Sequence, residues 1–286
     1  MGLRARRALW PWLLVVPGLA WLVVFFAIPA LNQFYVSLQE GSIERGYLLT
    51  WNWGIYSTVV GDYDEQFARS IGYAATATLA ALIICFPLAY FIAFKAGRWK
   101  GLLLFLVIAP FFTSYLVRTV AWQTILSDDL VVVDAFKAVG LLGDDGRLLA
   151  TRTAVIAGIT YNFLPFMALP LYVSLERIDR RLIEAATDLY ASRVDAFRRV
   201  TLPLAMPGVL AGSLLTFIPA VGDFINAQLL GTSRQSMIGN VIQSKFLVIV
   251  DYPAAAALSF VMMGALLAIV LVYVRVLGRR GLEVAR

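Results

Sequence analysis

The sequence contains no histidine, and its one cysteine is Cys85. Zinc sites need several Cys or His ligands and disulfide frameworks need paired cysteines, so both are excluded. Acid–base catalysis by histidine is excluded too. The phosphate-binding pattern G-x-x-x-x-G-K-[S/T] is also missing, so the chain does not bind ATP through that loop. The sequence therefore points away from a metalloenzyme and from an ATPase.

The sequence has few charged residues and several long apolar runs. Of the 286 residues, 15% are charged and 60% are hydrophobic, whereas soluble domains have about 25% charged residues. Apolar runs of roughly 20 residues are long enough to cross a bilayer. They predict an all-α membrane protein, one domain over residues 1–286, with an uncleaved first span. The six predicted spans are about 13–37, 70–94, 102–126, 154–175, 209–230 and 254–277.

Prolines interrupt several of these runs. Because proline has no N–H to donate, Pro87 predicts a kink, and Pro165, Pro170 and Pro219 predict bent or broken helices of the kind found at transport sites. Between the first two spans, residues 39–66 are polar and rich in glycine and tryptophan. This segment predicts an ordered external loop with turns.

Lysine and arginine are concentrated on one side of the predicted topology. They cluster near the N-terminus, at 95–100, at 177–199 and near the C-terminus. Because basic residues mark the cytoplasmic side, we expect both termini and the 176–208 loop in the cytoplasm, with lipid around the spans. The scatter of basic residues over four segments argues against a nucleic-acid surface, despite the net charge of +6.

Acidic residues predominate on the opposite, external side. An acidic mouth attracts cations or docks a binding protein of complementary charge. The alternative is that these side chains are simply solvated. The residues are Glu40, Glu44, Asp62, Asp64, Glu65, Asp128, Asp129, Asp134, Asp144, Asp145 and Asp251.

The 176–208 loop contains a signal for a short helix. Ser192 followed by Asp195 is a capping box, which predicts a helix start after Ser192. Apolar residues recur from Val194 at intervals of three, opposite several arginines, which predicts an amphipathic helix. Pro203 and Pro207 are expected to end it.

This loop resembles the cytoplasmic EAA loop of ABC-importer permeases, whose short helix docks into a groove on the ATP-hydrolysing subunit. The match covers Glu184-Ala185-Ala186, the Ala191-Ser192 turn, Phe197-Arg198-Arg199-Val200, and Leu202-Pro203 through Pro207-Gly208. The alternative is an ordinary solvated amphipathic loop. The resemblance implies that the following residues couple ATPase to transport: Glu184, Ala185, Ala186, Asp188, Ser192, Asp195, Phe197 and Arg198.

One position departs from the pattern of that family. Tyr190 stands where the family usually has glycine. A glycine there is expected to take positive φ between two helices, a conformation that a tyrosine adopts only at a cost.

Two charged residues lie inside predicted spans. Placing Arg118 or Asp223 at membrane depth costs about 2.5 to 3.5 kcal/mol or more, so such residues normally pair or line a wet path. Counted along straight helices, both lie roughly 10 to 12 Å from the outer ends of their spans. We expect them to face the translocation pathway, either pairing with each other or with Asp223 meeting a cationic substrate. The alternatives are a snorkelling arginine and an aspartate that caps a broken helix.

Polar and aromatic residues near these charges complete the candidate pathway. Aromatic faces attract ammonium groups, although aromatic residues are also ordinary packing in a membrane bundle. The candidates are Tyr115, Trp122, Tyr161, Asn162 and Asn226.

The segments Leu116-Val117-Arg118-Thr119, Val221-Gly222-Asp223-Phe224 and Leu229-Leu230-Gly231 resemble the inner-membrane permeases of spermidine/putrescine ABC importers. The resemblance implies a type I importer fold with cytoplasmic coupling helices and half of a polyamine pathway. It also implies a second homologous permease chain, two copies of a cytoplasmic ATPase that bind ATP and Mg, and an external polyamine-binding protein. No catalytic, cofactor or metal site is expected in this chain, which would lie in the inner membrane of a prokaryote.

Three alternatives remain open from the sequence. Related permeases carry iron, sulfate or other solutes on the same architecture, since fold does not settle substrate. A gradient-driven secondary transporter would show internal symmetry between its halves, and none is evident. A membrane scaffold would explain the EAA-like loop but not the two charges within the spans.

Overall fold

The computed structural model describes residues 15–128, 130–140, 142–143 and 146–278. The basic clusters at the two ends of the chain, and the predicted external acids Asp129, Asp144 and Asp145, lie outside the described residues. The described chain divides into two compact units. Unit 1 comprises residues 15–62 and 242–263, and unit 2 comprises residues 63–241 and 264–278.

Unit 1 begins with the first span and continues into a small hairpin. Helix α1 is Val15–Ser37, with a π turn at Val23–Ala27. Strands β1 (Gln39–Ser42) and β2 (Gly46–Leu49) pair antiparallel, and α2 is Gly54–Asp62. The external loop that was predicted after the first span is therefore ordered, and it contains a β-hairpin that its polar composition did not indicate.

The hairpin and α2 are held in unit 1 by side-chain hydroxyls. The Tyr47 hydroxyl donates to the carbonyl of Val250 at 2.5 Å. The Ser37 and Tyr56 hydroxyl oxygens lie 2.7 Å apart, and the Ser37 hydroxyl also donates to the backbone. These contacts explain why a short polar loop adopts one conformation.

Unit 2 contains most of the predicted spans. The described residues include five helices that are long and apolar enough to cross a membrane, and a bent helix pair makes a sixth. Two helices, α11 and α12, contribute residues to both units. The helices after α2 are α3 Asp64–Phe94, α4 Lys100–Ile108, α5 Tyr115–Ile125, α6 Val131–Ala138, α7 Arg152–Glu176, α8 Arg180–Asp188, α9 Arg193–Val221, α10 Ile225–Leu230, α11 Ile238–Leu247 and α12 Tyr252–Tyr273.

The core of unit 2 is formed where α3 packs on α7. Small residues on α3 recur every four positions, and the facing positions of α7 are the large residues Met167, Leu171 and Leu175. Small residues let helices in a membrane approach closely, so the large side chains of one helix fill the grooves of the other. The small stripe comprises Ala77, Ala81, Cys85, Ala89 and Ala93, each at most 2% exposed.

Helix α9 approaches α7 equally closely at Gly208. A Cβ at this position would lie 2.5 Å from Ser174 Cβ and 2.6 Å from the carbonyl oxygen of Pro170. We expect Gly208→Ala to destabilise the fold by about 1 to 3 kcal/mol, because the backbone of α7 would have to move. Thermal unfolding in detergent measures the effect. Gly72→Ala is the matched control, since nothing lies within 4 Å of its added Cβ, and equal melting temperatures for the two variants would contradict the close packing.

The third span is bent, which corrects the prediction of a continuous helix over 102–126. A 3₁₀ turn at Ala109–Phe112 follows α4, and Thr113 and Ser114 are then extended, so α5 leaves at 95° to the preceding helix. Two consecutive extended residues interrupt the helical hydrogen-bond ladder. The depth of Arg118, which was counted along a straight helix, therefore does not apply.

The fifth span is also interrupted close to Pro219, where a bent or broken helix was predicted within the span 209–230. Helix α9 ends at Val221, and α10 begins at Ile225. Asp223 lies in the break, not within a helix. Its depth, like that of Arg118, cannot be obtained by counting helical turns.

Two of the prolines act differently from the prediction. Pro203 and Pro207 do not end the helix that starts after Ser192, which continues as α9 to Val221 through a π turn at Phe197–Thr201. A π turn spares one carbonyl from the usual i→i−4 bond, which makes room for the ring of Pro203. Pro87, Pro165 and Pro170 likewise lie inside helices that run on without a break.

Candidate functional site

A buried polar cluster joins the two breaks. The carboxylate of Asp223 accepts hydrogen bonds from the Tyr115 hydroxyl at 2.6 Å and from the Asn226 side-chain amide at 2.5 Å. It also accepts from the backbone N–H of Asn226 at 3.1 Å. Tyr115 begins α5 immediately after the bend, and Asn226 lies in the first turn of α10. The aspartate therefore caps a broken helix and ties the bent third span to the broken fifth.

The cluster continues into α7 and α5. The side-chain amide of Asn162 donates to Asn226 Oδ1 at 3.2 Å and to Thr119 Oγ1 at 3.1 Å. Asn162, Asn226 and Thr119 are fully buried. Asn240 from α11 donates to the carbonyl of Phe224, which provides a partner for a backbone group in the break. In a membrane, backbone freed by a helix break must be satisfied by such neighbours.

Arg118 lies beside this cluster and has no carboxylate partner within the part of the chain that the structure describes. Its guanidinium carbon is 5.5 Å from the Phe111 ring centre and 5.6 Å from the Tyr115 ring centre, a cation–π arrangement. The side chain is 7% exposed. The ion pairs of the described residues do not include one between Arg118 and Asp223. The structure therefore does not contain the predicted pairing of the two charges.

Two polar atoms of the site have no partner among the described residues. They are the Nε–H of Arg118 and the Oδ1 of Asn162, both buried. Buried polar atoms are nearly always hydrogen-bonded, by protein or by water. The cluster around the Asp223 carboxylate therefore contains one unused donor and one unused acceptor.

The predicted aromatic residues divide between two places. Tyr115 belongs to the cluster, whereas Trp122 and Tyr161 pack on each other with ring centres 5.4 Å apart. Neither of these two has a hydrogen bond to Asp223 among those of the described residues. Thr119 and Phe111 were missed by the sequence analysis. Thr119 follows Arg118 and lies one helical turn after Tyr115, which is the signal that identifies it.

The chemistry of the cluster is that of binding, not of group transfer. It offers one carboxylate, one guanidinium, carboxamides and hydroxyls. Within the described residues, no group of three or more His, Cys, Asp or Glu side chains could hold a metal ion.

The second candidate site is the turn between α8 and α9. Ser192 caps α9 as predicted, since its hydroxyl accepts from the Asp195 N–H at 3.1 Å and donates to the Asp195 carboxylate at 2.5 Å. Asp179 caps α8 by accepting from the Arg181 N–H at 3.0 Å. Ala186 and Asp195 are half-buried. The remaining predicted residues on the two helices and their turn are exposed, namely Glu184, Ala185, Asp188, Ser192 and Arg198.

Phe197, by contrast, packs within the chain. Its ring centre lies 5.6 Å from that of Phe86 and 6.3 Å from that of Tyr90, both on α3. The apolar stripe that was predicted from its spacing therefore faces the bundle at this position. A charge at Phe197 is expected to damage this packing first.

Charged contacts anchor α8 and its neighbours to the bundle. The Arg180 guanidinium donates to the carbonyls of Ala93 at 3.3 Å and Phe94 at 3.1 Å, at the end of α3. Lys100 at the start of α4 pairs with Glu176 at the end of α7, with Nζ 2.6 Å from Oε1. Arg180 therefore ties α8 to the end of α3, and Lys100 ties the start of α4 to the end of α7.

Taken together, the spans, the two helix breaks and the exposed turn define an integral membrane transport protein. Residues 85–280 match the family described as "Binding-protein-dependent transport system inner membrane component". This chain belongs to that family. Membership favours a transport component over a scaffold or a gradient-driven transporter.

Individual relatives extend this result. The chain is 36% identical over 263 residues to the spermidine/putrescine transport system permease protein PotB of Escherichia coli K12, covering 92% of this chain and 96% of the relative. It superimposes with a TM-score of 0.72, at 21% identity and 96% coverage of both chains, on a bacterial ABC transporter involved in the import of the acidic polysaccharide alginate. The same alginate transporter in complex with a pentasaccharide-bound periplasmic protein gives a TM-score of 0.70, at 20% identity, covering 94% of this chain and 93% of that one. The predicted importer-permease fold is thus confirmed.

Proposed function

We propose that this chain forms half of the translocation pathway of an ATP-driven importer for polyamines such as spermidine and putrescine. The observation that supports polyamines as the substrate is the sequence identity to a spermidine/putrescine permease over nearly the whole of both chains. The chain has no cofactor of its own in this proposal.

The proposal assigns the partners as follows. A second, homologous permease chain supplies the other half of the pathway. Two copies of a cytoplasmic ATPase bind ATP and Mg, and an external polyamine-binding protein delivers the substrate. The chain lies in a prokaryotic inner membrane with both termini in the cytoplasm. An alginate transporter of the same fold captured with its loaded periplasmic protein supports this division of labour.

In this proposal the buried cluster lines the pathway. Its carboxylate is the natural partner for a substrate ammonium, and its aromatic faces add cation–π attraction. Asp223 is now held by Tyr115 and Asn226, so an ammonium reaches it only after these hydrogen bonds are exchanged during the transport cycle. The pathway residues are Arg118, Asp223, Tyr115, Trp122, Tyr161, Asn162 and Asn226.

The transport cycle needs no covalent chemistry in this chain. ATP binding closes the partner ATPases and moves the docked α8. Because Arg180 joins α8 to the end of α3, the spans rock with it and open the cluster to the loaded binding protein. Hydrolysis then resets the arrangement.

Polyamine-stimulated ATPase in a reconstituted complex, with its neighbouring subunits and binding protein, tests this proposal. We expect spermidine or putrescine to stimulate hydrolysis, and sulfate or acidic oligosaccharides to have no effect. Stimulation by another solute alone would rule out polyamines as the substrate but would still support an ATP-driven importer. The absence of stimulation by any delivered solute would overturn the importer itself.

A second candidate is the same importer with an anion such as sulfate, rather than a cation such as iron, as its solute. The observation that favours it is Arg118, a buried guanidinium with no ion pair to a carboxylate among the described residues. Such a group suits an anion, and an importer of this fold carries an acidic polysaccharide. Stimulation by sulfate in the same assay would decide for it.

A further inference from the structure

The turn between α8 and α9 is strained at Tyr190. The N–H of Ala191 donates to the Ala186 carbonyl and the N–H of Tyr190 donates to the Thr187 carbonyl, both at 3.0 Å. This pair of bonds is the Schellman motif, which ends a helix with one residue in the left-handed region. Tyr190 is that residue, with φ of +63°. Glycine adopts this conformation freely, whereas a bulky L-residue is disfavoured in it.

The Tyr190 side chain brings no compensation within the chain. It is 98% exposed, so its ring has almost no packing to offset the backbone strain. Strained residues persist where the surroundings or a function require them, and an observed outlier is a reason to look for that function. Tyr190 differs from a glycine at this position only by its phenol side chain.

Tyr190 is one of four exposed apolar side chains on α8, on α9 and in the turn between them. We define these side chains as the apolar patch, namely Leu182, Leu189, Tyr190 and Val194, whose exposed fractions are 49%, 82%, 98% and 62%. Charged residues surround it along the chain, among them Glu184, Asp188 and Arg193. A large exposed apolar patch with a polar rim marks an interaction site, and aromatic residues supply most of the energy at such sites.

We infer that Tyr190 is an aromatic anchor for the ATP-hydrolysing subunit, with its ring seated in an apolar slot of the docking groove. The inference rests on the proposed function, because the patch continues the exposed surface of α8 that docks there. The strained φ directs the ring away from the bundle. The backbone strain is a cost within this chain, and the contact of the ring with the partner subunit offsets it. A lipid headgroup layer is the other surface that an exposed tyrosine contacts.

Substitution at Tyr190 tests the inference through two measurements. The stability of the chain should stay level or rise, whereas its affinity for the ATPase subunit should fall. Tyr190→Gly removes the ring and relieves the strain, so the melting temperature of the chain should stay level or rise by about 2 °C. The Kd for purified ATPase subunit should rise about 30-fold, measured on the paired permeases in nanodiscs. Tyr190→Asn, which also tolerates positive φ, should behave likewise. Tyr190→Phe keeps the ring and should bind within about twofold of the unsubstituted chain.

Each outcome decides the matter. If Tyr190→Gly binds the ATPase as tightly as the unsubstituted chain in nanodiscs or in detergent, Tyr190 is not an anchor for the ATPase. Its ring then contacts lipid or has no binding role. If Tyr190→Gly lowers the melting temperature, the strain argument is wrong. Ala185→Arg in the same titration separates this failure from a failure of the proposed function. If that charge also leaves binding unchanged, this loop does not dock the ATPase at all.

Discussion

Ala185→Arg is expected to abolish ATP-coupled uptake while leaving the chain folded. Ala185 is exposed on α8, so a longer side chain meets nothing within the chain. On docking, however, the arginine would be buried without a partner, which costs about 3 to 5 kcal/mol. That cost weakens ATPase binding by about a hundredfold or more. Co-purification of the ATPase subunits and uptake in proteoliposomes measure the loss.

Two companion variants make the result interpretable. Ala185→Ser is nearly equal in size and uncharged, and should assemble and transport normally. Phe197→Arg should lower the melting temperature of the chain, because Phe197 packs against Phe86 and Tyr90, whereas Ala185→Arg should leave it unchanged. A fully assembled, active complex with Ala185→Arg would contradict docking through α8.

Asp223→Asn is expected to lower uptake about tenfold or more without preventing assembly. The substitution keeps the shape of the side chain but removes the charge that the hydrogen bonds of Tyr115 and Asn226 satisfy. Hydrogen bonds to a charged group contribute about 1.5 to 3 kcal/mol. The charge is also the feature that attracts a substrate ammonium. Uptake of labelled polyamine at equal levels of assembled complex measures the effect.

Two further variants separate the effect of the lost charge on transport from an effect on folding. Asp128→Asn removes another carboxylate, but one that pairs with an exposed Arg147, and such pairs contribute little, so transport should be unchanged. Asp223→Ala should also lower the melting temperature, since three donors lose their acceptor. Normal uptake by Asp223→Asn would remove Asp223 from the pathway and leave it a helix cap.

Local features of the turn between α8 and α9 were predictable because they depend on neighbours in the sequence. The Ser192–Asp195 cap and the positive φ expected at Tyr190 are both present. The spacing of Phe197 predicted an apolar stripe, but spacing does not reveal which protein covers it. In the structure the ring packs against α3 of the same chain.

The helix breaks were not predictable from hydropathy. The two helices of the bent third span are together apolar enough to cross a membrane, and the bend depends on the extended conformation of Thr113 and Ser114. Proline indicates the breaks only in part, since Pro110 and Pro219 lie beside them whereas α7 continues through Pro165 and Pro170. Neighbouring helices satisfy the carbonyl groups that a membrane proline leaves free.

The sequence by itself determined the membrane class, the long apolar spans, the capped turn between α8 and α9, and the two charged residues Arg118 and Asp223 within the apolar runs, because composition, apolar run length and short motifs encode them. Only the tertiary structure decided that Asp223 is bound by Tyr115 and Asn226 while Arg118 lies on aromatic rings. The hydrogen bonds of Tyr115 with Asp223 and Asn226 join residues more than one hundred positions apart in the chain. They depend on the bend after α4 and the break after α9, which turn the two spans toward each other.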